Sequence, residues 1–209
     1  MVAHLLIDFE TMSQRSRKCA AIDIAALSFD FDRFTSNNPY GLDAINEVRH
    51  WKLSVADQVN TYGYDVDKET VAWWMGQAPE VKARIKPKDT DLTLSVFAKQ
   101  FHEFLIESPK FSRWWSRSNT FDPIILERIF ESTGRLAHLN EYLKHWQVRD
   151  VRTYIDAKFN FSTLNGFCPI SDEALWNRTF KQHNCEWDVV ADLLRFQAII
   201  RAEEGLEQI

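Results

Sequence analysis

The order of strand-like and helical segments predicts an α/β protein, a mixed β-sheet flanked by helices. Two observations carry this expectation. The first fifty or so residues hold strand signals one after another, and the rest of the chain alternates strand and helix signals. The chain also has 209 residues, 45% hydrophobic and 26% charged, which suits one globular domain with a sizeable core. No repeat, low-complexity tract or Pro/Gly/Ser linker divides it, so a single domain over residues 1–209 is expected.

The elements follow in order. Residues 4–10 form a buried strand and residues 20–29 a second. Residues 48–55 alternate like a half-buried third strand, after a turn signal at residues 36–41. Asp67 caps a helix through Trp74 that ends near Gly76 and Pro79. Asp91 caps another, with Leu94, Phe97, Phe101, Phe104 and Leu105 on one face. Residues 111–115 read as a fourth strand. Asp122 and Pro123 open a helix through Ile129, with proline at its favoured first position. Residues 139–146, 151–159 and 188–202 complete the helices, the last of them amphipathic.

Net charge is −5, which argues against tight nonspecific binding to duplex phosphate. It leaves room for a nucleic-acid enzyme, because catalytic carboxylates lower net charge and bound metal offsets them. Three cysteines cannot all pair, and no CxxC occurs, so free buried thiols in a reducing compartment are expected. There is no leader-like N-terminus and no long apolar run, which points to a cytoplasmic protein with no membrane partner.

Asp8 and Glu10 are the most informative residues. A strand alternates faces, so the two carboxylates point the same way at a buried strand end. Like charges placed so are costly unless a cation lies between them, and oxygen-only ligands favour Mg²⁺ or Mn²⁺. Asp122 sits where a strand-like run turns into a helix, and by itself reads equally as a helix cap. Asp192 lies among Val189, Val190, Ala191, Leu193 and Leu194, and is either a solvated helix residue or deliberately buried.

The sequence Ile7-Asp8-Phe9-Glu10-Thr11, then Asn119-Thr120-Phe121-Asp122-Pro123, then Trp187 to Asp192, resembles the DEDD (DnaQ-like) 3′–5′ exonuclease superfamily. Its closest likeness there is to phage exonucleases of the DexA and exonuclease VIII type and to related exoribonuclease-like domains. Thr70, Trp73, Trp74, Gln77 and Glu80, and the run Arg149-Asp150-Val151-Arg152-Thr153, match further motifs of those proteins. The resemblance implies an RNase H-like fold in which Asp8, Glu10, Asp122 and Asp192 hold two Mg²⁺ or Mn²⁺ ions. It implies release of nucleoside 5′-monophosphates from a nucleic-acid 3′ end, best from single-stranded DNA or RNA, in a phage- or prophage-encoded enzyme. It also implies that Thr11 and Met12 meet the 3′-terminal nucleotide. Of the adjacent tryptophans, about 100° apart on a helix, one is expected to face the core, while the other either stacks on a base or simply packs. Trp74 is the one expected to stack, with Gln77 one turn away touching the same nucleotide. Arg149 and Arg152 bind phosphate or hold a carboxylate, with Arg152 expected in a structural ion pair.

The pattern breaks at the general base. In the histidine-dependent subclass the base lies five residues before the last Asp, a slot that counted from Asp192 is Trp187. The tyrosine-dependent subclass uses the fourth residue before, here Asp188. His183 is the nearest imidazole. Three readings stand open: His183 reaches the attacking water, bound metals suffice without a base, or the chain is a non-catalytic binding module on the same fold.

Overall fold

The computed structural model describes residues 2–14, 17–160, 165–168, 170, 179–181 and 183–207. The first strand signals become β1 (Ala3–Thr11) and β2 (Ala21–Asp30), a long antiparallel pair. β3 (Arg49–Lys52) joins β2 antiparallel. On the other side β4 (Arg113–Ser116) and then β5 (Val148–Asp150) add in parallel, giving the order β3-β2-β1-β4-β5. This is the mixed sheet that the sequence predicts.

The helices are α1 (Phe31–Phe34), α2 (Val55–Tyr62), α3 (Lys68–Met75), α4 (Pro79–Ile85), α5 (Leu94–Glu107), α6 (Asp122–Ser132), α7 (Leu136–Tyr142), α8 (Val151–Lys158) and α9 (Cys185–Glu203). Strand alternation sorts the core onto two faces. Leu5, Ile7 and Phe9 of β1 lie in one cluster with Phe97 and Phe101 of α5, Leu126 and Phe130 of α6 and Leu139 of α7. Leu6 points the other way, into a cluster with Val190, Leu193 and Phe196 of α9 and Val151 and Ile155 of α8. Asp8 and Glu10 share the parity of Leu6, so β1 presents them on the α9 side of the sheet.

Some expected boundaries move for identifiable reasons. The third strand stops at Lys52 because the Ser54 side chain accepts the Asp57 N–H and caps α2, which the sequence reading did not separate. Thr93, not Asp91, caps α5; the Asp91 carboxylate instead accepts the Lys88 N–H in the preceding turn. The helix expected over 139–146 is α7 followed by a 3₁₀ turn at His145–Gln147, after which β5 forms. β5 has three residues, too few to show a period. The three cysteines are free and buried, as expected. Among the described residues no helix is long and apolar enough to cross a membrane.

Candidate active site

β1 and α9 build the centre of the site. Carboxylate oxygens of Asp8, Glu10 and Asp188 all lie within 4.8 Å of one another. Asp188 is in the first turn of α9, whose start is fixed by Asn184, a side chain that accepts the N–H groups of Glu186 and Trp187. Asp122 joins from α6. Beyond Ser116 the chain leaves the sheet for that helix, and the Phe9 N–H, between the two β1 acids, donates to Asp122 Oδ1 at 3.3 Å. Asp122 is therefore not the cap of α6 but its first residue, tied across to β1.

These acids repel one another in a buried setting. Burial first, then the negative charges of Asp188, Asp122 and Glu10, pushes Asp8 well above the usual carboxylate range. Burial, Asp188 and Asp23 lift Glu10 to about 8 against the pull of Arg84. Burial lifts Asp122 to about 7 against the Phe9 N–H. Asp188 also rises to about 7, through burial and then Asp192, against Arg117.

Asp192 does not join the cluster. It is 4% exposed, and its Oδ1 accepts from Arg117 Nε at 3.0 Å and from Arg195 Nη1 at 2.9 Å. The acid brought to Asp8 and Glu10 is Asp188, one helical turn earlier, where the sequence reading expected Asp192. Residues four apart share a helix face, so spacing within the helix does not separate the two. A signal was present upstream: His183 is the fifth residue before Asp188. Trp187, read as occupying the base slot, is a core side chain beside Val190 and Leu193.

His183 lines the same cavity as Asp8, Glu10, Asp122 and Asp188, a space of about 720 Å³. Its backbone is left-handed, with φ +58°, just before the start of α9, and burial lowers its pKa. The Trp73 ring meets it edge-on, with centroids 4.7 Å apart.

The tryptophan pair is reversed from expectation. Trp74 is 2% exposed and donates its Nε1–H to the Thr11 carbonyl at 2.9 Å, whereas Trp73 is 43% exposed. Gln77 donates to the Trp73 carbonyl at the end of α3 and does not line the cavity. Thr11 and Met12 are also absent from its lining. The Thr11 hydroxyl donates to the Ser13 carbonyl, and Met12 exchanges backbone bonds with Ala20 and Asp67. Arg152 lines the cavity and its charge favours the ionised form of Asp122, while Arg149 donates to the Trp146 and Val148 carbonyls. Sequence reasoning placed Asp188 only in the tyrosine slot and passed over Arg117, Arg195 and Phe167; all four line the space.

A model of the 3′–5′ exoribonuclease Rv2179c-like domain family matches residues 3–189, which takes in every acid of the cluster. The chain belongs to that family. It is thereby a member of the DEDD (DnaQ-like) exonuclease superfamily, and its sheet has the RNase H-like arrangement of the solved structures similar to it. One is E. coli exonuclease I in complex with a dA16 oligonucleotide, with TM-score 0.63 and 19% identity over 97% of this chain and 41% of that one. Another is the zinc-bound form of an E. coli exonuclease I–ssDNA complex, with TM-score 0.59 and 18% identity over 98% and 41%. Apo exonuclease I gives TM-score 0.61 and 20% identity over 96% and 42%. This Rv2179c-like chain thus spans about two fifths of the length of those proteins, and at such identity the likeness is one of fold. No curated protein matches the sequence.

Proposed function

We propose that this protein is a divalent-metal-dependent 3′–5′ exonuclease acting on single-stranded nucleic acid, with Asp8, Glu10, Asp122 and Asp188 as metal ligands and His183 as general base. The observation that carries the reading is the convergence of Asp8, Glu10 and Asp188 oxygens within 4.8 Å. An all-oxygen donor set suits hard cations such as Mg²⁺ or Mn²⁺, and buried carboxylates that raise one another's pKa are the electrostatic complement of such ions. When bound, two such ions supply a more acidic water and balance charge on the phosphate under attack.

The chain's own residues do the rest. His183 stands at the five-residue spacing of the histidine-dependent subclass once Asp188 is the last acid. Burial keeps its imidazole neutral near pH 7, the form that accepts a proton from an attacking water. The Trp73 ring packs edge-on against the imidazole. Phe121, Phe167 and Phe180 line the cavity and offer apolar surface to a base without reading its sequence. The binding-module alternative loses its motive, because it rested on Trp187 in the base position.

The test uses 5′-labelled RNA and DNA single strands with Mg²⁺ or Mn²⁺. Stepwise shortening from the 3′ end is expected, abolished by EDTA. Intact strands of both kinds, with either metal, overturn the proposal.

A further inference from the structure

Arg117 and Arg195 are not explained by holding two metal ions. Arg117 follows β4 directly and Arg195 projects from α9; both line the cavity, and both donate to the single carboxylate of Asp192. Their side chains are only 12% exposed. Two buried guanidiniums against one carboxylate leave one positive charge in excess. Two of their nitrogens, Arg117 Nη1 and Arg195 Nε, are buried with no acceptor among the described residues. The Gly166 carbonyl takes another Arg117 donor at 2.8 Å. The Phe167 ring lies over both guanidiniums, 4.2 and 5.2 Å from its centroid, while staying 51% exposed. Among the described residues, the other acid that feels both arginines is Asp188, which the cluster commits to its cations.

We propose that Arg117 and Arg195, held on Asp192 and covered by Phe167, form a subsite for the backbone phosphate one nucleotide upstream of the bond that is cut. The inference rests on the exonuclease reading above. Asp192 lies four residues, about 6 Å of helical rise, along α9 from Asp188, a step comparable with the spacing of neighbouring phosphates in a strand. A strand with a free 3′ hydroxyl has no phosphate beyond its last nucleotide, so a second phosphate in the cavity comes from the 5′ side. Guanidinium forks suit phosphate oxygens, and the exposed face of Phe167 suits the adjoining base. Removing one arginine leaves the other paired one-to-one with Asp192, so single substitutions spare the buried balance of charge.

The test compares a dinucleotide carrying a 5′ phosphate with the same dinucleotide lacking it. Binding is measured by calorimetry with Ca²⁺, and turnover separately with Mg²⁺. Wild type is expected to bind the phosphorylated form about tenfold more tightly or better, the worth of charge-assisted hydrogen bonds. Arg195→Gln and Arg117→Gln are expected to bring that ratio close to one, with thermal melts near wild type. Equal affinities in wild type overturn the subsite, as does an unchanged ratio in both variants or no binding of either dinucleotide. An equal loss of turnover on both dinucleotides with the ratio kept would assign the arginines to the scissile phosphate instead, and also overturns it. Absence of turnover with the ratio intact counts against the exonuclease reading and leaves the subsite standing.

Discussion

Asp188 and Asp192 share one face of α9 and divide two jobs between them. Asp188 meets Asp8 and Glu10, while Asp192 is closed off by two arginines. Asp188→Asn is expected to abolish stabilisation by Mn²⁺ in a thermal melt. It should leave the metal-free fold as stable or more so, since it removes one of several buried acids that repel. Asp192→Asn is expected to keep the Mn²⁺ response yet lose about 3–5 kcal/mol in urea unfolding, because two guanidiniums lose their buried counter-charge. His183→Ala is expected to lower kcat by about 10²–10⁴-fold with Mn²⁺ stabilisation intact, separating proton transfer from metal holding. Loss of the Mn²⁺ response in the Asp192 variant but not the Asp188 variant would reverse the assignment.

At the scale of elements, α3 is fastened to the end of β1 at two points. The Asp67 N–H donates to the Met12 carbonyl, and Trp74 donates to the Thr11 carbonyl. Asp67 also caps the helix through the Thr70 N–H, as the sequence predicted. The fastening decides which tryptophan is buried. Trp74→Ala is expected to cost about 3–5 kcal/mol in denaturant unfolding, and Trp73→Ala to leave stability within about 0.5 kcal/mol while lowering kcat. Two left-handed glycines make a second comparison. At Gly63, φ +64°, an added Cβ meets nothing within 4 Å, so Gly63→Ala is expected to cost about 1–2 kcal/mol. At Gly166, φ +74°, it would lie 2.8 Å from the Arg152 Cα, so Gly166→Ala is expected to cost more and to disturb the Gly166 carbonyl's bond to Arg117. Strands and helices of this kind were legible where their period was long, as in β1, β2 and α5. The three-residue β5 and the α2 boundary were not, because a few residues carry no period and a cap outweighs an alternating pattern.

For the whole molecule, the site makes stability depend on pH in a direction that metal reverses. Unfolded carboxylates titrate near pH 4, while Asp122 and Asp188 are lifted to about 7 and Glu10 to about 8 in the folded chain. The folded state therefore binds more protons between these limits. Its stability from these groups is full below about pH 4 and is lost as pH rises through 7 to 8. Metal-free protein is expected to melt at lower temperature at pH 8 than at pH 5.5. Mn²⁺ needs the ionised ligands, so its stabilisation is expected to be small at pH 5.5 and large at pH 8. A metal-free melting temperature that rises over this interval would show that the acids are not mutually strained.

The sequence by itself determined the mixed α/β sheet, the parity that puts Asp8 and Glu10 on one face, and the class of chemistry that such a pair invites. Those features follow from local periodicity and composition, which a linear chain displays. Tertiary structure alone decided which acid of α9 completes the cluster, which tryptophan is buried, and what Asp192 pairs with. Each is a choice between near neighbours on one helix. Such neighbours differ only in what the rest of the fold sets opposite them: β1 before Asp188, and two arginines before Asp192.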